Sequence, residues 1–163
     1  MPISACIAQA FEDYRRNNDF LLKTVNDLAP NEWLKRPTVC SNHISWITGH
    51  IIWTRKAVLA RLGTEWSRPW LGMFARGVKL DESAVYPSPD ELKNTWNEVG
   101  GVLCGALEAA PEEVLSKVAA PPGPPTADGK ISGVIRFLAW HETYHVGQIS
   151  IVACMLGHKG LMG

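Results

Sequence analysis

Two histidines four residues apart, His141 and His145, lie in the run WHETYHVGQ near the C-terminal end of a 163-residue chain. Neutral imidazole is a common ligand for divalent transition metals. Residues four apart on a helix have Cβ atoms about 5 to 6 Å apart, a reach that lets both rings bind one ion. Helical periodicity puts these residues on an inward stripe reading Val134, Leu138, His141, His145, Gln148, Val152, where a purely structural helix would carry Leu or Ile. Burying such groups unpartnered costs about 1 to 3 kcal/mol each, so hydrogen-bonding neighbours or a metal ion must satisfy them. A metal needs a third protein ligand, and His50 is the best placed, near the middle of an earlier helical segment. Three neutral imidazoles would leave a coordination position open to water or substrate, as catalytic rather than structural sites do. Gln148, one turn beyond His145, is expected to face the pocket and donate a hydrogen bond to a metal-bound group or to a water linked to an imidazole.

The remaining histidines are expected outside the site. His43 lies two turns before His50, about 10 Å away along a helix axis, and reads as a helix-end or supporting residue. His158 follows Gly157 and reads as a surface residue. The run HETYH also matches H-E-x-x-H, in which the glutamate is the general base of a metalloprotease. That fold is not expected: 18 residues follow His145, Gly147 sits one place early for the longer protease pattern, and no strand offers an edge to a peptide. Glu142, rotated roughly 100° from His141, either supports a ligand or is exposed, and exposure is the expectation.

Four amphipathic helices, over about residues 3 to 28, 41 to 62, 89 to 110 and 132 to 156, must position these groups, and no convincing strand alternation occurs. Ile3, Ile7, Phe11, Tyr14, Leu21, Val25 and Leu28 line the first, interrupted by Asn17 and Asn18; that gap either faces a polar site or carries exposed asparagines, and exposure is the expectation. The second should begin after Ser41 as N-cap and end at Gly63; the third should begin after Ser88, with Pro89, Asp90 and Glu91 in its first turn. Four such helices predict an all-α, four-helix bundle as a single domain over residues 1–163. The 63–88 link is the longest and alone comfortably crosses the bundle end to end, so helices two and three are expected to run parallel.

Composition narrows the function. Lys+Arg and Asp+Glu balance at 16 each, so no net field attracts phosphate backbones or anionic lipid, and neither nucleic acid nor membrane is an expected partner. There is no spanning run of about 18 apolar residues and no leader-like N-terminus, which predicts a soluble, cytoplasmic protein. Cys6, Cys40, Cys104 and Cys154 form no CxxC pair and read as reduced, small apolar residues.

Together, SNHISWITGHIIW and, some 90 residues later, HETYHVGQ resemble the DinB superfamily, which includes YfiT-like proteins and bacillithiol or mycothiol S-transferases. The likeness also takes in the Pro37 segment and the PSPDEL opening of helix three. It implies an up-down-down-up bundle, often homodimeric, holding a divalent metal on three histidines that correspond to His50, His141 and His145. It further implies thiol-transfer or related chemistry, in which the metal activates the thiol of a small cofactor. The segment TEWSRPWLGMFARGVKL does not map onto a thiol-binding pattern.

The leading expectation is a metal-dependent enzyme, a thiol S-transferase or hydrolase acting on small molecules, with Zn²⁺ or Ni²⁺ and a low-molecular-weight thiol as cofactors. The alternative is a metal-binding bundle without catalysis, a sensor or interaction protein. A sizeable cavity beside an open position would favour the enzyme; a fourth protein ligand would favour the alternative. Trp66, Trp70 and Phe74 either wall the pocket or clasp the bundle end. Because seven tryptophans are many for one bundle core, a homodimer assembled partly through this aromatic link is expected.

Overall fold

Apolar side chains at helical spacing, stopped by proline and glycine, produce the four long helices. They are α1 (Ala8–Val25), α2 (Ile44–Arg61), α3 (Pro89–Glu108) and, after the short α4 (Glu112–Leu115), α5 (Ile131–Met155). Two 3-10 turns, η1 (Pro30–Leu34) and η2 (Pro69–Phe74), lie in the links. The structure is a computed structural model describing residues 3–39, 41–121 and 123–160. Cys40 and Pro122 therefore lie outside the described residues, among which Cys6, Cys104 and Cys154 are free thiols. No described helix is long and apolar enough to cross a membrane.

The helix ends differ in two places from expectation. α1 begins at Ala8 rather than near Ile3, because the Ser4 hydroxyl donates to Glu112 at 2.7 Å and the chain turns there, with the Ile7 N–H on the Ser4 carbonyl. α2 is capped by His43, not Ser41: the His43 Nδ1 accepts the Trp46 N–H at 3.0 Å, while the Ser41 hydroxyl closes a turn onto the Thr38 carbonyl. Ser88 caps α3 as expected, accepting the Glu91 N–H at 3.1 Å. α5 ends before Gly157, whose φ of 96° is the left-handed conformation that closes a helix.

α1 packs on α5 and α3, and α2 on α3 and α5, around a core that includes Trp33, Trp96, Leu21, Ile51 and Ile149. Contacts along the helices give their directions. Cys6 of the N-terminal arm meets Arg136 near the start of α5, and Asn17 of α1 meets Glu142 further along it, so α1 and α5 run the same way. Tyr86, just before α3, packs edge-on against the cap of α2 at His43, and Arg55 lies over the Trp96 ring further along; α2 and α3 therefore also run together. The 62–88 link makes this possible by returning along the bundle. Its Trp66 and Trp70 indoles donate to Glu98 and Glu91 of α3 at 3.0 and 2.7 Å.

The link is thus a clasp over its own bundle, with Phe74 fully buried. Phe74 seats on α2 at Gly49, where an added Cβ would lie 2.5 Å from the phenyl ring. Only glycine allows that approach, and the fit fixes the end of the link one residue from His50.

Candidate metal centre

One face of α5 and one turn of α2 bring His50, His141 and His145 together; their donor nitrogens all lie within 4.8 Å of one another. The ring centroids are 4.4 to 5.4 Å apart, and the Nε2 atoms of His141 and His145 face each other at 3.0 Å. His43 is at the α2 cap and His158 pairs with Glu32 at 2.9 Å, both away from this group, as expected.

The outer nitrogens set the tautomers. The Phe74 carbonyl can only accept, so the His50 Nδ1, 2.8 Å away, carries the proton and its Nε2 keeps a lone pair. The His145 Nδ1 donates to the Gln148 Oε1 at 2.7 Å, which leaves its Nε2 a lone pair as well. Gln148 is itself oriented, its amide donating to the Tyr144 hydroxyl at 3.0 Å. Gln148 therefore stands behind His145 and borders a separate cleft with Ile47 and Val152. His141 Nδ1 is buried and has no partner among the described residues. Burial pushes the His141 and His145 pKa values down to about 4, the neighbouring imidazoles adding to the shift, and burial also lowers His50. Neutral rings, with lone pairs converging at distances that a shared cation relieves, form a donor set that fits a divalent transition ion.

A family model described as the DinB superfamily matches residues 13–149, which include all three histidines and Gln148. The chain belongs to the DinB superfamily. No curated protein and no solved structure matches it.

Behind the histidines this DinB-superfamily chain carries a buried polar network absent from the sequence reading. Arg55 and Glu142, both fully buried, form a two-pronged ion pair at 2.7 and 2.8 Å. Asn17 donates to the same carboxylate at 3.1 Å, Asn18 accepts from Arg55 at 2.6 Å, and the guanidinium carbon lies 3.4 Å from the centroid of the Trp96 ring. The expectation that Glu142, Asn17 and Asn18 are exposed is thus corrected. Glu142 points to the bundle centre because only there does a cation from α2 meet it. Asn17 fills the gap in the α1 stripe because a carboxylate needs donors there. Gly100 makes room: an added Cβ would lie 2.7 Å from Asn18 Oδ1 and 3.1 Å from the Arg55 Nη1. The interruption at Asn17-Asn18 was the available signal, and Arg55 inside an otherwise apolar helix was its overlooked partner. Because Glu142 adjoins His141, the pair fixes the rotation of α5 that aims both α5 histidines at α2.

On the open side, a cavity of about 670 Å³ reaches His50 and His141. Its walls are Trp53, Thr54, Ala57, Phe137, Leu138 and prolines of the 119–130 loop, with Arg61 and Arg76 at its edges. Its volume lies in the range of small-molecule sites.

Proposed function

We propose that His50, His141 and His145 bind one divalent transition ion, Zn²⁺ or Ni²⁺, and that the protein is a metal-dependent enzyme of the thiol S-transferase or hydrolase type acting on small molecules. The observation that carries this reading is the convergence of three neutral imidazoles, two of which, His50 and His141, line a cavity, with no fourth ligand in the group among the described residues. That openness favours catalysis over a non-catalytic sensor or interaction module, whose ion would be closed off. When bound, such an ion supplies Lewis acidity that makes a water or thiol nucleophilic near neutral pH. The chain's own residues prepare for this. Phe74 and Gln148 hold His50 and His145 with their donor faces inward, Arg55 and Glu142 hold the helix pair in register, and Trp53, Phe137 and Leu138 give the cavity apolar walls.

The test is activity against common electrophiles with glutathione, bacillithiol or mycothiol, before and after chelation. Turnover with one thiol, lost on chelation and restored by Zn²⁺ or Ni²⁺, is the expected result. Turnover indifferent to chelation would overturn the metal-dependent reading. We also propose a homodimer, supported by an unpartnered apolar face on α5 rather than by the aromatic link, which clasps its own chain.

A further inference from the structure

We propose that the cavity selects organic monoanions: molecules with an apolar or aromatic body and one carboxylate, the body lying among Trp53, Phe137 and Leu138 and the carboxylate meeting Arg76, with Arg61 adding to the positive field. This deepens the functional reading above and rests on it for the reacting end of the molecule, but the anion site itself stands on residues independent of the histidines.

Three observations carry it. First, the charged side chains lining the cavity are both cationic, Arg61 and Arg76, and no aspartate or glutamate lines it. In a chain whose charges otherwise balance at 16 of each sign, that asymmetry is local. Low-dielectric walls concentrate such a field within a cleft. Second, Arg76 is exposed and forms no hydrogen bond or ion pair among the described residues, although Arg36 and Arg68 on neighbouring segments pair with Glu82 and Glu98. Its position is fixed from the site outward: the Phe74 carbonyl holds His50, and the chain turns at Gly77 with φ of 86°, so Arg76 is held at the rim directly after the clasp. Third, the wall at Arg61 is built to stay in place. Arg61 donates to the Ala57 carbonyl at 2.8 Å and lies against Gly123, where an added Cβ would be 3.3 Å from its guanidinium. The 119–130 loop that it touches is pinned at its base by the Ala119 N–H on the Gly129 carbonyl at 2.8 Å and by Arg136 on Asp128 at 2.6 Å.

The apolar walls set the rest of the ligand. Trp53 and Phe137, one from α2 and one from α5, offer aromatic surface between the histidines and the arginines, so a fully hydrophilic anion would leave those faces unmatched. A neutral apolar molecule of the same shape would forgo the charge-assisted hydrogen bonds that a planar guanidinium makes to a carboxylate.

Calorimetric titration of the full chain with phenylbutyrate, phenylbutanol and inorganic phosphate, in metal-loaded and chelator-treated protein, tests this directly. Phenylbutyrate should bind about tenfold tighter than phenylbutanol, as expected for one charge-assisted contact, and much tighter than phosphate. Arg76→Gln should remove most of that preference while leaving phenylbutanol affinity, metal content and thermal midpoint unchanged. The preference should persist after chelation, which separates this site from the metal reading: loss of metal binding alone leaves it intact. Equal affinity for acid and alcohol would overturn the proposal, as would phosphate binding as well as phenylbutyrate. A preference that survives in Arg76→Gln and in the Arg61→Gln, Arg76→Gln double variant but vanishes on chelation would place the anion on the metal and likewise overturn it.

Discussion

At the scale of single residues, the site depends on groups that hold the imidazoles as much as on the imidazoles themselves. Gln148 touches His145 from behind at 2.7 Å, so Gln148→Leu should lower metal affinity about 10- to 100-fold, the usual cost of losing such a partner, with helix content unchanged. A competition assay against a chromophoric chelator reads this, and unchanged affinity would mean that His145 is oriented by packing alone. His43 carries a pH dependence of its own. Burial lowers its pKa from 6.5 to about 4, and only the neutral ring offers Nδ1 as the acceptor that caps α2. Between those values the unfolded chain binds a proton that the folded chain does not, so stability is fully present above about pH 6.5 and is lost progressively as pH falls toward about 4. His43→Asn keeps a cap acceptor without titrating and should flatten part of that slope in urea unfolding followed from pH 7 to 4.5. A slope identical to that of the native chain would remove His43 from the account of acid sensitivity.

At the scale of elements, the bundle was legible because amphipathic period, caps and stops agree, whereas the network at its centre was not. Polar residues inside an apolar stripe signal either exposure or a buried partner, and periodicity alone does not say which. Asn17, Asn18 and Glu142 each admitted an innocuous surface reading, and only the packed bundle shows that Arg55 binds Glu142 and Asn18 while Asn17 donates to the same carboxylate. The histidine triad was legible because two ligands share one helix face and the third sits mid-helix, so the meeting of α2 and α5 suffices to join them. Arg55→Met should destabilise the fold by about 3 to 5 kcal/mol, since it strands a buried carboxylate, and the Arg55→Met, Glu142→Leu double variant should recover much of that loss. Chemical denaturation of the three proteins decides it; a single variant as stable as the native chain would show the ion pair contributes little. The double variant should still bind metal more weakly than the native chain, because the rotation of α5 would then rest on packing alone.

At the scale of the whole molecule, α5 presents one side to the histidine group and another to solvent. Trp140, Tyr144, Ile151 and Met155 are 62%, 54%, 61% and 55% exposed on one stripe, with Gly147 open between them. From Phe137 to Leu156 the only charged side chain is the buried Glu142, a surface suited to pairing with its own copy about a two-fold axis. Light scattering should give twice 17.9 kDa for the native chain and 17.9 kDa for Trp140→Glu; a native monomer at micromolar concentration would discard the dimer. The clasp at Gly49 adjoins His50, the buried pair adjoins His141 and the cavity reaches both, so metal occupancy is the property on which the proposed function depends. Elemental analysis of protein purified without added metal, and again after loading and desalting, measures it in the native chain beside His145→Ala. About one equivalent of zinc or nickel per native chain, falling to a small fraction in the variant, is the expected result. A native chain that retains no divalent metal after loading, or a variant that retains as much as the native chain, would contradict a three-histidine metal centre.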